Sequence, residues 1–370
     1  MKIFNIVGAR PNFMKIAPLM EAMGKSPDLE PILIHTGQHY DEKMSKIFFN
    51  ELGLPKPAVD LGIGSGSQAE QTAKIMIAFE KLCVKHSPDL VLVVGDVNST
   101  LACSLVAAKL GIRLAHVEAG LRSRDRTMPE EINRLVTDTL ADWLFTTSKD
   151  ANENLKAEGV SEEKIFLVGN VMVDTLLKHR QRASQLDILT RLGLKGKEKH
   201  YAVMTLHRPA NVDNAETLSK LLEAVEVIQQ EIPLVFPVHP RTFKQIESLG
   251  LRKKMTQMTQ MTQLMVLEPL GYLEFLAVMS QAQMVLTDSG GLQEETTVLG
   301  IPCLTLRENT ERPVTIWEGT NTLVGTDPQK IVEVAWEVLR NKGKTGRVPE
   351  FWDGKAAERI VEVLTKRLLT

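Results

Sequence analysis

Met284-Val-Leu-Thr-Asp-Ser-Gly-Gly-Leu-Gln-Glu-Glu295 is the stretch that decides the fold. An apolar, β-branched run ends at Asp288, and a helix-forming segment follows Ser289-Gly290-Gly291, which predicts a strand, a tight turn and a helix start. Consecutive glycines let the backbone approach a ligand, and the free N–H groups of a first helical turn suit an anion. Glu294 and Glu295 lie one turn in, where a carboxylate can accept hydrogen bonds from ribose hydroxyls. The stretch fits a nucleotide diphosphate site, and it also fits an ordinary βα turn capped by Asp or Ser.

Length and composition narrow the class of protein. A chain of 370 residues is too long for one compact core and predicts two domains. With 43% hydrophobic and 24% charged residues, the composition is that of an ordinary soluble globular protein. The net charge of −2 argues against nucleic acid or an anionic membrane as a partner.

The cysteines and the N-terminus indicate a cytoplasmic protein. Cys83, Cys103 and Cys303 are far apart and lie in apolar contexts, which is typical of buried thiols in a reducing compartment. The first apolar run is too short for a secretory signal, and no run approaches the roughly 20 residues of a membrane helix. We therefore expect no disulfides and no membrane association.

Apolar runs alternate with helical segments in two successive series, separated by the polar stretch Lys195–Lys199. The predicted strands are Ile3–Val7, Pro31–His35, Asp89–Val94, Arg113–Val117, Trp143–Thr147 and Ile165–Val168, then Tyr201–Leu206, Leu234–Pro237, Met265–Leu267, Met284–Thr287 and Cys303–Leu306. This pattern predicts an α/β protein with two doubly wound, Rossmann-like domains facing a cleft. We place the domains at 1–170 and 171–353, with a last helix at about 354–370 that packs back onto the first domain.

Three carboxyl groups follow successive strands of the first series: Asp96, Glu118 and Glu130. In a doubly wound sheet such connections converge on one crevice. Carboxylates buried together have pKa values that are forced apart, so one becomes a proton donor and another an acceptor. For Glu130 and its neighbour Glu131, both in a first helical turn, the helix dipole is a sufficient alternative explanation.

Cationic residues, like the three carboxyl residues, follow predicted strands in the chain. Arg10 and Lys15 lie near the start of the first helix, where two cations indicate either an anion between them or two solvated surface charges. His207 ends the first strand of the second series beside Arg208, and it is placed to stabilise phosphate charge or relay a proton. Arg312 follows another strand and is expected to reach the same nucleotide as the Ser-Gly-Gly turn.

Other patterns exclude several kinds of site. Leu61-Gly-Ile-Gly-Ser-Gly66 resembles a dinucleotide fingerprint but lacks the required βαβ context. No cluster has metal-ligand spacing, and neither a P-loop nor a Gly-x-Ser-x-Gly motif occurs. The three Met-Thr-Gln copies of Met255–Gln263 fit neither helix nor strand periodicity and indicate a tolerated surface expansion. The residues point to proton chemistry on a nucleotide-linked substrate, without metal or redox cofactor.

From Gly8 to about Gly325 the chain resembles the non-hydrolysing UDP-N-acetylglucosamine 2-epimerases. The motifs that carry the resemblance are Gly8-Ala-Arg-Pro-Asn-Phe-Met-Lys15, His35-Thr-Gly-Gln-His39, Gly95-Asp-Val-Asn-Ser-Thr100, His116-Val-Glu-Ala-Gly-Leu-Arg122, Pro129-Glu-Glu-Ile-Asn-Arg134, Thr287-Asp-Ser-Gly-Gly-Leu-Gln-Glu-Glu295 and Thr310-Glu-Arg-Pro313. The resemblance implies the two-domain GT-B fold and a homodimer.

The resemblance also implies an activity. Members of the family invert C2 of UDP-GlcNAc to give UDP-ManNAc, a precursor for surface polysaccharides, and they need no cofactor. They eliminate UDP to form 2-acetamidoglucal and then add UDP back with a proton on the opposite face of C2. Asp96, Glu118 and Glu130 match the catalytic carboxyls. The positions matching those that hold the uridine diphosphate are Arg10, Lys15, His207, Phe275, Ser289, Gly290, Gly291, Glu295 and Arg312.

The chain departs from the family pattern at two places. Leu270 stands where some relatives carry a Gln that contacts uracil. Relatives that UDP-GlcNAc activates use an Arg near Glu70-Gln71-Thr72, where the nearest residue here is Glu70. Gln38 and His39 of that second site are present, so the sequence predicts reduced or absent activation.

Four other functions remain open from sequence. The first is a sister epimerase of a UDP-2,3-diacetamido sugar acid, which differs only in its sugar contacts. A hydrolysing epimerase, a GT-B glycosyltransferase and a non-catalytic UDP-sugar sensor are the others. Three carboxyls in one crevice argue against the sensor, because burying unneeded charges is costly.

Overall fold

The computed structural model describes residues 1–38, 49, 51–252, 255 and 263–369. The chain folds into two compact units, one formed by Met1–Lys178 with Glu350–Thr370 and the other by His179–Pro349. His39 and most of the Met-Thr-Gln repeat lie outside the described residues. Within the described part of the chain, no helix is long and apolar enough to cross a membrane.

The first unit is built on a parallel sheet of seven strands in the order β3-β2-β1-β4-β5-β6-β7. The strands are β1 Lys2–Val7, β2 Glu30–His35, β3 Val59–Asp60, β4 Leu90–Val94, β5 Arg113–Ala119, β6 Trp143–Thr146 and β7 Ile165–Leu167. The helices are α1 Arg10–Gly24, α2 Gln68–His86, α3 Asn98–Lys109, α4 Pro129–Leu140, α5 Lys149–Ala157 and the start of α6 Val171–Ser184. Every residue of β4 is buried, as expected for a parallel strand covered on both faces.

The second unit repeats this plan with six parallel strands in the order β10-β9-β8-β11-β12-β13. The strands are β8 Ala202–Thr205, β9 Leu234–Pro237, β10 Leu264–Leu267, β11 Met284–Thr287, β12 Cys303–Thr305 and β13 Asn321–Leu323. The helices are α7 Ile188–Arg191, α8 Pro209–Val212, α9 Ala215–Ile228, α10 Pro240–Ser248, α11 Tyr272–Ser280, α12 Gly290–Leu299, α13 Val314–Trp317 and α14 Pro328–Leu339. Both sheets reverse their order beside the first strand of the series, and this reversal is where open α/β sheets hold ligands.

The predicted α/β class with two Rossmann-like units is confirmed. All predicted strands are present, with ends shifted by a residue or two. The structure adds the short edge strands β3 and β13, which pair with β2 and β12. Both strands are two or three residues long and mix apolar with polar residues, so the sequence carries no apolar run to mark them.

The last helix, α15 Ala356–Leu369, belongs to the first unit and packs against α1. Asp174 on α6 caps it, because its carboxylate accepts hydrogen bonds from the N–H groups of Ala356 and Ala357 at 3.1 and 2.7 Å. Trp352 adds a hydrogen bond from its indole N–H to the Thr147 carbonyl. A surface cavity of about 520 Å³ beside this helix is lined by charged, small and apolar residues, and none of the predicted site residues is among them.

We predict that Asp174 makes stability depend on pH. Burial raises the pKa of Asp174 to about 6, although the two backbone N–H groups oppose the rise. A raised pKa contributes stability that is fully present below about pH 4 and is lost as pH rises through 6. Relative to Asp174→Asn, the wild type should therefore lose about 1 kcal/mol of unfolding free energy between pH 5 and pH 7.5. Urea titrations at both pH values measure this, with the exposed Asp28→Asn as a control; equal pH dependence of wild type and Asp174→Asn would contradict it.

Candidate active site

The three carboxyl residues of the first unit lie at one edge of its sheet. Asp96 follows β4, Glu118 lies near the end of the neighbouring β5, and Glu130 is in the first turn of α4. β4 and β5 pair in parallel, so Asp96 and Glu118 leave the sheet on the same side. Glu118 is buried, whereas Asp96 and Glu130 are half-buried.

Glu118 has an unusual backbone. Its φ is +73°, in the left-handed region that non-glycine residues rarely occupy. The register of β5 with β6 shifts between Val117 and Ala119, so Glu118 is the extra residue of a bulge. Lys15 Nζ lies 2.6 Å from Glu118 Oε1, and both side chains are buried. Strain of this kind is typical of functional positions, where a bulge re-aims one side chain.

Asp96 is held by two consecutive residues of α4. Arg134 Nη1 donates to Asp96 Oδ2 at 2.5 Å, and Asn133 Nδ2 donates to the Asp96 carbonyl at 2.8 Å. Arg134 is itself fixed by Glu131, whose Oε2 accepts from Nη2 at 2.7 Å and from Nε at 3.0 Å. Burial opposes ionisation of Glu131, but hydrogen bonds from the Ser123 backbone and from Arg134 lower its pKa. The Asp96 carboxylate therefore has a fixed position and a cationic neighbour.

A second buried network supports the loop before Asp96. His116 Nε2 lies 2.8 Å from the Gly95 carbonyl, and Nδ1 lies 2.6 Å from Asp138 Oδ1. Arg122 Nη1 lies 2.7 Å from Asp138 Oδ2. Burial opposes ionisation of Asp138, but His116 and Arg122 outweigh it and lower the pKa. This network anchors the end of β4 and thereby the Asp96 backbone.

Glu130 differs from the other two carboxyls. It is in the first turn of α4, after the N-terminal Pro129. Within the described residues it has no salt bridge, whereas Asp96 pairs with Arg134 and Glu118 pairs with Lys15. Of the three predicted carboxyls, Asp96 and Glu118 are ion-paired and Glu130 is outside any ion pair in the part of the chain that the structure describes.

The remaining first-unit predictions concern α1 and the second site. Arg10 is the first residue of α1, and its side chain lies outside the described residues. Gln38 is buried and accepts hydrogen bonds from the Ser99 backbone at 3.0 Å and hydroxyl at 2.7 Å. Glu70 is exposed and pairs with Lys74 at 2.6 Å. Gln38 thus belongs to the same strand-end network as the loop that carries Asp96.

In the second unit, Asp288 joins the ends of β8 and β11. Its carboxylate accepts the N–H groups of His207 at 3.0 Å and Arg208 at 2.9 Å. The His207 ring adds a contact of 2.8 Å between Nδ1 and Asp288 Oδ1. Burial opposes ionisation of Asp288, but His207 and these backbone N–H groups lower its pKa. Asp288 thus fixes the positions of His207 and Arg208. Among the described contacts, neither Asp288 nor Ser289 makes a side-chain cap for α12.

Ser289, Gly290 and Gly291 form the turn into α12, as predicted from the sequence. Gly290 is enclosed, because a Cβ there would lie 2.6 Å from Glu311 Oε1 and closer still to Arg312 Nη1. Among the described side chains none caps this ten-residue helix at its N-cap, and uncapped N–H groups at a helix start are suited to bind an anion. The arrangement suits a phosphate group.

Three arginines surround the buried carboxylate of Glu311. Arg307 Nη2 lies 2.8 Å and Arg208 Nη2 lies 3.5 Å from its oxygens, and Arg312 Nη1 also pairs with it. Arg312 Nε lies 2.8 Å from Glu294 Oε1. Burial opposes ionisation of Glu311, but Arg312, Arg307 and Arg208 hold its pKa well below the usual range. Three arginine side chains therefore lie together at this strand edge, each already paired with a buried carboxylate.

Glu295 and Phe275 complete this half of the site. Tyr272 Oη donates to Glu295 Oε1 at 3.0 Å. Burial raises the pKa of Glu295 to about 7, and the nearby Glu294 acts in the same direction. Phe275 lies one turn after Tyr272 on α11 and is half-buried. The described residues contain no group of three or more side chains suited to hold a metal.

Sequence reasoning missed the groups that hold these side chains. From sequence, Glu131 was explained by its favourable position in the helix dipole. Arg134 and Glu311 appeared only as members of the family motifs and were given no role. Two local spacings were available as signals, because Glu131 and Arg134 are three residues apart and Arg307 and Glu311 are four apart. The contacts from Arg134 to Asp96 and from Arg208 to Glu311 join residues far apart in sequence, and no spacing rule marks those.

Each of the two parallel sheets carries polar side chains at its strand ends: carboxyl groups in the first unit, and arginines with a glycine turn in the second. The family model described as UDP-N-acetylglucosamine 2-epimerase matches residues 21–365. The chain is 45% identical, over 99% of both chains, to UDP-N-acetylglucosamine 2-epimerase of Methanocaldococcus jannaschii. It is 42% identical, over 99% of this chain and 100% of the relative, to UDP-2,3-diacetamido-2,3-dideoxy-D-glucuronate 2-epimerase of Pseudomonas aeruginosa.

A comparison with solved structures indicates the same family. The crystal structure of the M. jannaschii enzyme in complex with UDP-GlcNAc and UDP superposes with a TM-score of 0.92 at 45% identity, covering 99% of this chain and 100% of that one. This protein belongs to the UDP-N-acetylglucosamine 2-epimerase family. It is accordingly an isomerase.

Proposed function

We propose that this protein interconverts UDP-GlcNAc and UDP-ManNAc by inverting C2 of the sugar. The observation that carries the proposal is the presence of Asp96, Glu118 and Glu130 at one edge of the first sheet. The chain that carries them matches the M. jannaschii UDP-N-acetylglucosamine 2-epimerase over 99% of its length. Inversion at carbon needs a proton removed from one face and returned to the other, which requires more than one acid–base group.

The proposed reaction proceeds by elimination and addition. A carboxylate takes the C2 proton, the C1–O bond breaks, and UDP leaves with the bonding electrons as a C1=C2 double bond forms. A carboxyl group then returns a proton to the opposite face of C2 while a UDP oxygen re-forms the bond to C1. Asp96 and Glu118, each beside a cation, suit proton acceptance, and Glu130 makes no ion pair within the described residues.

UDP must stay bound between the two steps, and the second unit is suited to hold it. We propose that Ser289, Gly290, Gly291 and Arg312 bind the diphosphate, with His207 stabilising the charge that UDP gains on leaving or relaying a proton. Glu295 is proposed to bind ribose and Phe275 to pack near uracil. Arg10 and Lys15 of the first unit are proposed to contribute positive charge to the same ligand. In this proposal the catalytic carboxyls belong to the first unit and the residues that bind the diphosphate, ribose and uracil belong to the second.

The test is to incubate the protein with UDP-GlcNAc in D₂O and follow C2 by NMR. Deuterium at C2 together with a UDP-ManNAc signal is the expected result. A C2–H that never exchanges would overturn epimerisation and favour a glycosyltransferase or a sensor. Release of free ManNAc and UDP would identify a hydrolysing enzyme instead.

A second candidate substrate is a UDP-2,3-diacetamido sugar acid. The observation that favours it is the 42% identity to the P. aeruginosa enzyme of that specificity, which is close to the 45% identity of the M. jannaschii relative. Both reactions need the same carboxyl chemistry and differ in the sugar contacts. Comparing kcat/KM for the two UDP-sugars decides between them, and we expect UDP-GlcNAc to be preferred.

We propose that the protein works as a homodimer. The supporting observation is the outer face of α2, where Ile77 and Val84 are 59% and 67% exposed although the helix buries Ile75 and Phe79 on its other side. Residues seven apart lie on the same face of a helix, and a two-fold axis would place the two copies of this face together. Light scattering should give twice the chain mass, and Val84→Glu should shift it toward the monomer. A monomeric wild type would contradict the proposal.

Two further properties are proposed. Activation by UDP-GlcNAc is expected to be weak or absent, because Glu70 carries a negative charge and pairs with Lys74 where activated relatives use arginine. This expectation would be contradicted if the rate depended sigmoidally on UDP-ManNAc concentration and the dependence became hyperbolic when a trace of UDP-GlcNAc was added.

We also propose a cytoplasmic location. It is supported by Cys83, Cys103 and Cys303, which are buried free thiols.

A further inference from the structure

Glu294 and Glu295 are adjacent buried carboxyls with different partners. Glu294 Oε1 lies 2.8 Å from Arg312 Nε, so its charge is balanced by a cation. Glu295 accepts a hydrogen bond of 3.0 Å from Tyr272, which is a neutral donor. Within the described residues no salt bridge engages Glu295. A buried carboxylate held by one neutral hydroxyl keeps the capacity to accept further hydrogen bonds.

Tyr272 is built into the unit so that its hydroxyl has a fixed direction. It is the first residue of α11, its side chain is buried, and the His179 ring meets it edge-on with ring centroids 6.3 Å apart. Burial raises the pKa of the Tyr272 hydroxyl well above its usual value, and the nearby Glu295 adds to this, so the hydroxyl remains a donor at any working pH. The donor therefore fixes one oxygen of Glu295 and leaves the remaining acceptor positions of the carboxyl group for a ligand.

The ligand chemistry that fits is a pair of neighbouring hydroxyl donors. Glu295 is on α12, one turn after the Ser289-Gly290-Gly291 turn that suits the diphosphate. In a nucleoside diphosphate the ribose 2′ and 3′ hydroxyls are adjacent donors on the ring next to that diphosphate. Above its pKa of about 7, the Glu295 carboxylate can accept hydrogen bonds from both hydroxyls, as carboxylates do in other ribose sites.

We propose that Tyr272 is a positioning residue for ribose recognition: its hydroxyl orients the Glu295 carboxylate toward the ribose diol, so that the pair sets the preference for a ribonucleotide over a 2′-deoxyribonucleotide. The inference rests on the proposed UDP site and deepens it. Tyr272 itself touches no substrate atom and acts through Glu295.

The test measures dissociation constants of UDP and 2′-deoxy-UDP by calorimetry in the wild type, Tyr272→Phe and Tyr201→Phe. Tyr201 is a matched control, because its buried hydroxyl also bonds to α11, at the Val278 carbonyl. We expect the wild type to prefer UDP about tenfold, since a hydrogen bond to a charged group is worth roughly that factor. Tyr272→Phe should lose most of this preference by weakening UDP more than 2′-deoxy-UDP. Tyr201→Phe should keep the wild-type preference.

Glu295→Gln and the double variant with Tyr272→Phe provide a second measurement. If Tyr272 acts through Glu295, adding Tyr272→Phe to the Glu295→Gln variant should change UDP affinity less than about twofold. Equal losses for both nucleotides in Tyr272→Phe would overturn the inference and show a merely structural role. A wild type that binds UDP without ribose preference would overturn it while leaving the UDP site intact. No UDP binding at all would overturn the proposed function as well.

Discussion

Asp96→Asn is expected to lower kcat about a thousandfold while the dissociation constant for UDP changes less than about threefold. Asparagine matches the shape of aspartate and still accepts a hydrogen bond from Arg134, which lies 2.5 Å from Asp96 Oδ2 in the wild type. It cannot take up a proton, and removal of a positioned acid–base group typically costs factors of about a hundred to ten thousand. Turnover is followed by NMR of UDP-ManNAc, and UDP affinity by calorimetry.

Asp89→Asn is the matched control, because Asp89 precedes β4 and Asp96 follows it. Asp89 Oδ2 accepts the Lys2 N–H at 2.6 Å, which an asparagine oxygen also does. This variant should turn over like the wild type. Wild-type activity in Asp96→Asn would remove its assigned role, and a parallel loss of UDP affinity would show that the substitution disturbs the site rather than the chemistry. Glu118→Gln and Glu130→Gln are expected to lose turnover in the same way.

Gly290→Ala is expected to weaken UDP binding by about a hundredfold, equivalent to roughly 2.7 kcal/mol. The added Cβ would lie 2.6 Å from Glu311 Oε1 and closer to Arg312 Nη1, so both side chains have to move. Arg312 is tied to Glu294 as well as to Glu311, and displacement breaks a buried ion pair. The Cβ also prevents close approach of a phosphate to the backbone.

Calorimetry with UDP measures this loss, and thermal unfolding measures the accompanying overpacking, which should also lower stability. Gly24→Ala is the control, because Gly24 ends α1 and an added Cβ there meets nothing within 4 Å. Its expected effect on UDP affinity is negligible. UDP binding by Gly290→Ala at wild-type strength would show that the turn does not approach the diphosphate.

The strand ends were predictable from sequence because two regularities coincide there. A buried parallel strand is an unbroken apolar run, and the polar residue that ends it falls at a known edge of the sheet. Asp96 after β4 and His207 after β8 follow this rule directly. The turn at Ser289 was predictable for the same reason, with glycines as the additional signal.

The side chains that fix those residues were not predictable. Arg134 and Asp96 are 38 positions apart, and Tyr272 and Glu295 are 23 apart, so their pairing depends on the completed packing of helices on the sheet. The left-handed backbone of Glu118 is likewise invisible in a run that reads as an ordinary strand. Local patterns give the position of a residue along an element, and tertiary packing decides which partner it meets.

The carboxylate of Asp288 has a consequence for how the second unit becomes competent. It receives the backbone N–H of His207 from a position 81 residues earlier in the chain. Residues so far apart meet only when the intervening chain has folded back and closed a long loop, which has an entropic cost. Nucleotide binding by this unit is therefore expected to appear only when β8 and β11 have paired, so the recovery of UDP affinity during refolding reports that pairing.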